Sequence, residues 1–215
     1  MRTLSAIVIL VGGIHLGASF ACAQSQPAPT MSFFVTSKGR GFGANLGGLR
    51  GADAHCQQLA ASVGAGQRTW RAYLSAPATG DQPVIHARDR IGSGPWFNAR
   101  GVRIASNVAE LHDGPNELGP ANTLTEKGAT VAPGRHDILT GSNPDGTLAG
   151  DGTRDTTCRG WTSHDEGRAM LGHHNRFGGG ERPTSWNSAH LSRGCSQAAL
   201  RASLGDGLIY CFAID

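Results

Sequence analysis

Near the end of the chain, Leu208, Tyr210, Phe212 and Ile214 fall on one side of an extended backbone, with Ile209, Cys211 and Ala213 on the other. Both sides are apolar, so the pattern predicts a closing strand over Leu208–Ile214 with two buried faces. Thr69–Ser75 alternates as well, with Trp70, Ala72 and Leu74 opposite Arg71 and Tyr73, and reads as a second strand. Phe33–Thr36 reads as a first strand. Gly39–Gly51 reads as a glycine-rich loop. After it, Cys56, Leu59, Ala60 and Val63 recur at helical spacing. Asp53 suits the positive end of a helix dipole and Gly64 suits a stop. The spacing therefore predicts a short amphipathic helix over Asp53–Val63, with Cys56 on its buried face.

From Pro77 to Gly205 the periodic signal thins. Val84–Arg90 reads as a second short helix, and Val102–Ile104 and Ile138–Leu139 as short strands. Most of the rest is turn chemistry, including Gly94-Pro95, Asp113-Gly114-Pro115-Asn116, Asn143-Pro144-Asp145-Gly146 and Gly178-Gly179-Gly180. So long a stretch of loop between confident elements implies loops with a function.

The first residues change the picture by setting the compartment. Arg2 precedes an apolar run, Leu4 to Leu16, and Ala21-Cys22-Ala23 makes a small-residue cleavage pattern. The run is too short for a membrane span. The expected organisation is a signal peptide over 1–23, a polar, proline-rich linker over 24–31 and one domain over 32–215, secreted or periplasmic or at the cell surface. Cleavage would discard Cys22 and leave Cys56, Cys158, Cys195 and Cys211, an even number suited to an oxidising compartment. Composition then excludes some functions. The formal net charge is only +3 and no basic run occurs, which argues against nucleic acid and against a membrane surface. Lys38 and Lys127 are the only lysines, so the cations are nearly all arginine, whose fork matches carboxylate and sulfate oxygens.

Histidine and aspartate supply the candidate metal chemistry. Three His-Asp pairs occur, at His112-Asp113, His136-Asp137 and His164-Asp165. Neighbours on a strand point to opposite faces, so a pair alone does not chelate. Loops can instead gather His164, Asp165, His173 and His174, and these four form the expected metal set. Histidine with carboxylate suits zinc, and carboxylate with carbonyl suits calcium. The alternative is that these histidines are solvated or structural. Trp161 reads as core beside the second pair of cysteines, and Trp186 as either core or a stacking platform for sugar.

Six segments together resemble the C-type-lectin-like fold, and within it endostatin-like domains and a group of bacterial lectins. They are residues 51–76 (GADAHCQQLAASVGAGQRTWRAYLSA), 86–91 (HARDRI), 139–147 (LTGSNPDGT), 158–163 (CRGWTS), 186–196 (WNSAHLSRGCS) and 207–213 (GLIYCFA). The resemblance implies an α+β domain, with short helices around a small, mainly antiparallel sheet and long loops. It also implies disulfides Cys56–Cys211 and Cys158–Cys195, where four cysteines alone allow three connectivities. By the same resemblance Arg88 and Arg90 are candidate contacts for an anionic glycan. Sugar-binding members share a calcium ion between a Glu-Pro-Asn or Gln-Pro-Asp triplet and Trp-Asn-Asp. Here the nearest strings are Asn143-Pro144-Asp145 and Trp186-Asn187-Ser188, so the usual calcium-sugar motif is not intact. Asn143, Asp145, Trp186 and Asn187 remain the candidate ligand-binding residues.

No nucleophile elbow, HExxH or paired-cysteine motif is present, which points away from an enzyme. The expected function is an extracytoplasmic binding module that takes carbohydrate through its long loops. A protein-binding or structural domain without sugar binding is the alternative, and a metal-dependent hydrolase the second. Cofactor, partner glycan and oligomeric state are not specified by the sequence.

Overall fold

One long strand organises the molecule. In the computed structural model, which describes residues 31–80, 82–150 and 153–215, β8 (Gly205–Ala213) pairs with three other strands. It runs antiparallel to β1 (Phe33–Val35) and β2 (Trp70–Ala72), and parallel to β5 (Asp137–Leu139). Beyond β5 the sheet continues through β6 (Met170–His173) to β7 (His190–Leu191), both steps antiparallel. β3 (Trp96–Phe97) and β4 (Arg103–Ala105) form a separate hairpin. The architecture is α+β.

Alternation along β8 splits the core into two layers, as the sequence pattern predicts. Ile209, Cys211 and Ala213 pack with Phe34, Trp70, Leu74 and the apolar side of α1 (Gly48–Ser62). Leu208, Tyr210 and Phe212 pack on the other side with Phe33, Tyr73, Trp96 and Trp186. The strand ends at Ala213, and Ile214 is 40% exposed instead of completing the inner row.

The helix α1 begins five residues earlier than the spacing predicts, inside the expected loop. Its first turn closes with Gly51 N–H donating to Gly47 carbonyl (3.2 Å). Asp53 is therefore not a helix-start residue. Its buried carboxylate accepts from Ala72 N–H (2.9 Å), Arg71 (2.7 Å) and Arg90 (2.8 Å), which locks α1 to β2 and to a 3-10 turn at Ala87–Asp89. That turn replaces the helix expected over Val84–Arg90.

The long central stretch is not structureless. Besides β3–β7 it contains α2 (Val108–Asp113), capped by the Asn107 side chain, and α4 (Gln197–Ala202), capped by Ser196. Between them lies α3 (Cys158–Trp161), a single left-handed turn with φ from 50° to 70°. Left-handed backbone costs an L-residue roughly 1–2 kcal/mol, so this turn needs outside support. Trp161 Nε1–H donates to Ser75 carbonyl (2.8 Å), and Cys158 is bridged to Cys195. The other bridge joins Cys56 on α1 to Cys211 on β8. This is the connectivity that the resemblance implies. No helix among the described residues is long and apolar enough to cross a membrane. The expected signal peptide lies outside the described residues.

Candidate metal centre

The sheet brings three side chains to one spot. Asp137 opens β5 directly opposite His173, the last residue of β6. Cross-strand partners share a face. His190 on β7 pairs with Leu171, two positions before His173, so it projects on that same face. His136 precedes β5 and escapes strand alternation, so its ring folds back to the carboxylate of its own neighbour.

The imidazoles converge on Asp137. His136 Nε2 lies 3.3 Å from Oδ1, His173 Nε2 3.2 Å from Oδ1, and His190 Nε2 3.5 Å from Oδ2. His173 Nδ1 is 2.7 Å from Pro183 carbonyl, an acceptor only, so the N–H sits on Nδ1 and Nε2 carries a bare lone pair. In the neutral ring that lone pair faces a carboxylate oxygen. The Asp137 and His173 side chains are wholly buried, and Asp137 Oδ1, Oδ2 and His173 Nε2 have no hydrogen-bond partner. Two facing acceptors in a desolvated site cost several kcal/mol unless a cation lies between them.

The spacing suits a metal ion. Zinc bonds of about 2.0–2.1 Å in a tetrahedron place neighbouring ligand atoms about 3.4 Å apart. His136, Asp137 and His173 offer ligand atoms within 4.8 Å of one another, the only such group among the described residues. Burial holds the His136 imidazole below its ordinary range, which keeps its nitrogen free to coordinate. His190 stands farther off, its Nε2 3.5 Å from Oδ2, and the Asp137 carboxylate beside it holds its pKa above the ordinary range, which sets it apart from the ligand trio.

The glycine run expected as a turn is the cover of this centre. A Cβ at Gly178 would lie 2.4 Å from His173 Cε1 and 3.0 Å from His136 Cε1, and one at Gly180 would lie 2.8 Å from His190 Cβ. Only glycine lets the backbone pass so close to the rings. Outside the rings lies an open cleft of about 770 Å³, bordered by His136, Phe177, His190, Arg193 and Leu204.

The four residues expected to chelate do not come together. His173 belongs to the centre. His174 is the next residue on, its N–H bonded to His136 carbonyl (3.1 Å), and burial first, then the neighbouring imidazoles, push its pKa down to about 4. His164 and Asp165 are exposed and contact each other at 3.3 Å. Of the residues expected to bind sugar, Trp186 and Asn187 are buried, Asn143 is half-buried and Asp145 is exposed, and their polar groups bond to one another's loops. Asn187 donates to Tyr73 Oη, Asn143 carbonyl and Pro144 carbonyl, and Asn143 donates to Thr147 and Leu148. Asp145 accepts from Thr147 (2.7 Å). Trp186 is 3% exposed, packed on Tyr73 and Tyr210, and Trp161 is wholly buried. Arg90 is committed to Asp53, and Arg88 is half-buried, its side chain donating to Asp145 carbonyl (2.9 Å). No family model matches the chain, and no curated protein is a significant match.

Proposed function

We propose that the chain is an exported binding domain of C-type-lectin-like architecture, built around a zinc ion held by His136, Asp137 and His173. The observation that carries this is the bare Nε2 of His173, buried 3.2 Å from an unpartnered Asp137 oxygen. Two imidazoles and one carboxylate suit zinc, whereas calcium takes six or more oxygens. Ferrous iron accepts the same donors, but the two disulfides suit an oxidising compartment, in which redox-inert zinc is the better match. Strand order, disulfide pairing and loop-rich character support the lectin-like architecture.

Three protein ligands would leave a coordination position open, and of the three His136 borders the cleft. A ligand is therefore taken there and not at the Asn143 and Asn187 loops, whose polar groups are used internally. The open position also favours a second reading, a hydrolase in which zinc activates water. Chelator-sensitive turnover of p-nitrophenyl acetate would support that reading.

Calorimetric titration of metal-stripped protein with zinc tests the main proposal. A saturable site that calcium does not fill is expected, and His173→Ala should weaken it at least a hundredfold while circular dichroism stays unchanged. Absence of saturable binding, or equal binding by His173→Ala, would sink it.

A further inference from the structure

The cleft bordered by His136 and His190 has a one-sided charge. No Asp or Glu borders it. Arg193 does, and its guanidinium has no hydrogen-bond or ion-pair partner among the described residues, while its backbone N–H is fixed by Ser203 Oγ (3.0 Å). A zinc ion offset by the single carboxylate of Asp137 keeps one positive charge, and Arg193 adds a second. Apolar side chains also border the cleft: Phe177 is 77% exposed and Leu204 50%, large surfaces left open at the rim. A cleft of about 770 Å³ is of the size that holds a small organic molecule.

We infer that this cleft takes an organic carboxylate, one oxygen on the open position of the zinc and the group paired with Arg193, its ring lying against Phe177 and Leu204. The inference rests on the zinc reading. A carboxylate fits because its oxygen is a good zinc ligand and its two oxygens match one guanidinium fork. Apolar walls then ask for a carbon body behind it, which inorganic phosphate lacks. A uronic acid and an aryl acid share this chemistry.

Cobalt in place of zinc makes the site visible, because the absorption band of the ion responds to a change of ligand. The cobalt-loaded protein is titrated with glucuronate, phenylacetate, glucose and benzyl alcohol. At least one acid should shift the band and both neutral compounds should leave it alone. The tighter acid tells a sugar acid from an aryl acid. Arg193→Ala should bind that acid about tenfold more weakly. A band that neither acid moves, one that the neutral compounds move equally, or undiminished acid binding by Arg193→Ala overturns the inference and leaves the metal reading standing. A chain that takes up neither cobalt nor zinc overturns both.

Discussion

Gly178 sits against two of the ligand rings, and its missing side chain sets how closely they are held. A methyl there cannot be accommodated 2.4 Å from His173 Cε1 without moving the ring, while a Cβ at Gly179 would meet nothing within 4 Å. Gly178→Ala should therefore lower zinc affinity about ten- to a hundredfold, the range seen when groups supporting a ligand are disturbed. Gly179→Ala should leave affinity unchanged. Competition against a zinc dye reads both, and equal affinities would show that the rings are not held by this cover. A second residue-scale prediction concerns His112, away from the metal. Its Nδ1–H donates to Val108 carbonyl (2.8 Å) and its Nε2 accepts from Tyr73 O–H (2.8 Å). Burial lowers its pKa, with the Val108 bond opposing. The folded value lies below the unfolded one, so the unfolded chain binds the proton more readily as pH falls. The stability contribution is complete above about pH 6.5 and is lost as pH drops through the folded value. His112→Gln keeps an acceptor for Tyr73 but does not titrate. In chelator, its melting temperature should fall less than the parent's between about pH 7 and pH 5; parallel curves would contradict the assignment.

Elements whose neighbours in sequence decide their form were legible, and those decided at a distance were not. Phe33–Val35 follows from a short apolar run, the Trp70 strand and the last strand from alternation, and the body of α1 from helical spacing. The start of α1 was missed because Asp53 reads locally as a helix-start acid, whereas its partners Arg71 and Arg90 lie far along the chain. For α2 a local signal existed: Asn107 followed three residues later by Glu110, a capping pattern. β6 carries no such signal. Gly172 weakens it as a strand, yet a Cβ there would meet Trp186 carbonyl at 1.8 Å, so tertiary contact demands the glycine. The Asp53 junction gives a prediction at this scale. Arg90 is as buried as its partner, each side chain 11% exposed. Asp53→Ala strands that cation and should cost about 3 kcal/mol in urea unfolding, while half-buried Arg88→Ala, which gives up one bond to Asp145 carbonyl, should cost about 1 kcal/mol. Similar costs for the two would show that the Asp53 junction does not hold α1.

Across the whole molecule, two bridges tie down a loop-rich chain. Cys56–Cys211 spans 155 residues and ties α1 to the central strand, while Cys158–Cys195 spans 37 and steadies the left-handed turn. Chain entropy gives about 5 and about 4 kcal/mol for closing such loops. Replacing Cys158 and Cys195 by serine should lower unfolding free energy by up to about 4 kcal/mol, and a change below about 1 kcal/mol would mean that the turn needs no staple. The centre itself was half legible. The sequence neighbourhood points to His173, whereas strand alternation argues against chelation by the His136-Asp137 pair. That rule fails there because His136 precedes the strand. His190 depends on the register of β6 with β7, which no local pattern encodes. The central claim is the position of one ion, and anomalous scattering from zinc-soaked crystals on either side of the zinc absorption edge locates it directly. The account predicts one strong peak about 2.0–2.2 Å from His136 Nε2, an Asp137 oxygen and His173 Nε2. A peak on His164 and Asp165, or none between the three rings and Asp137, would contradict it.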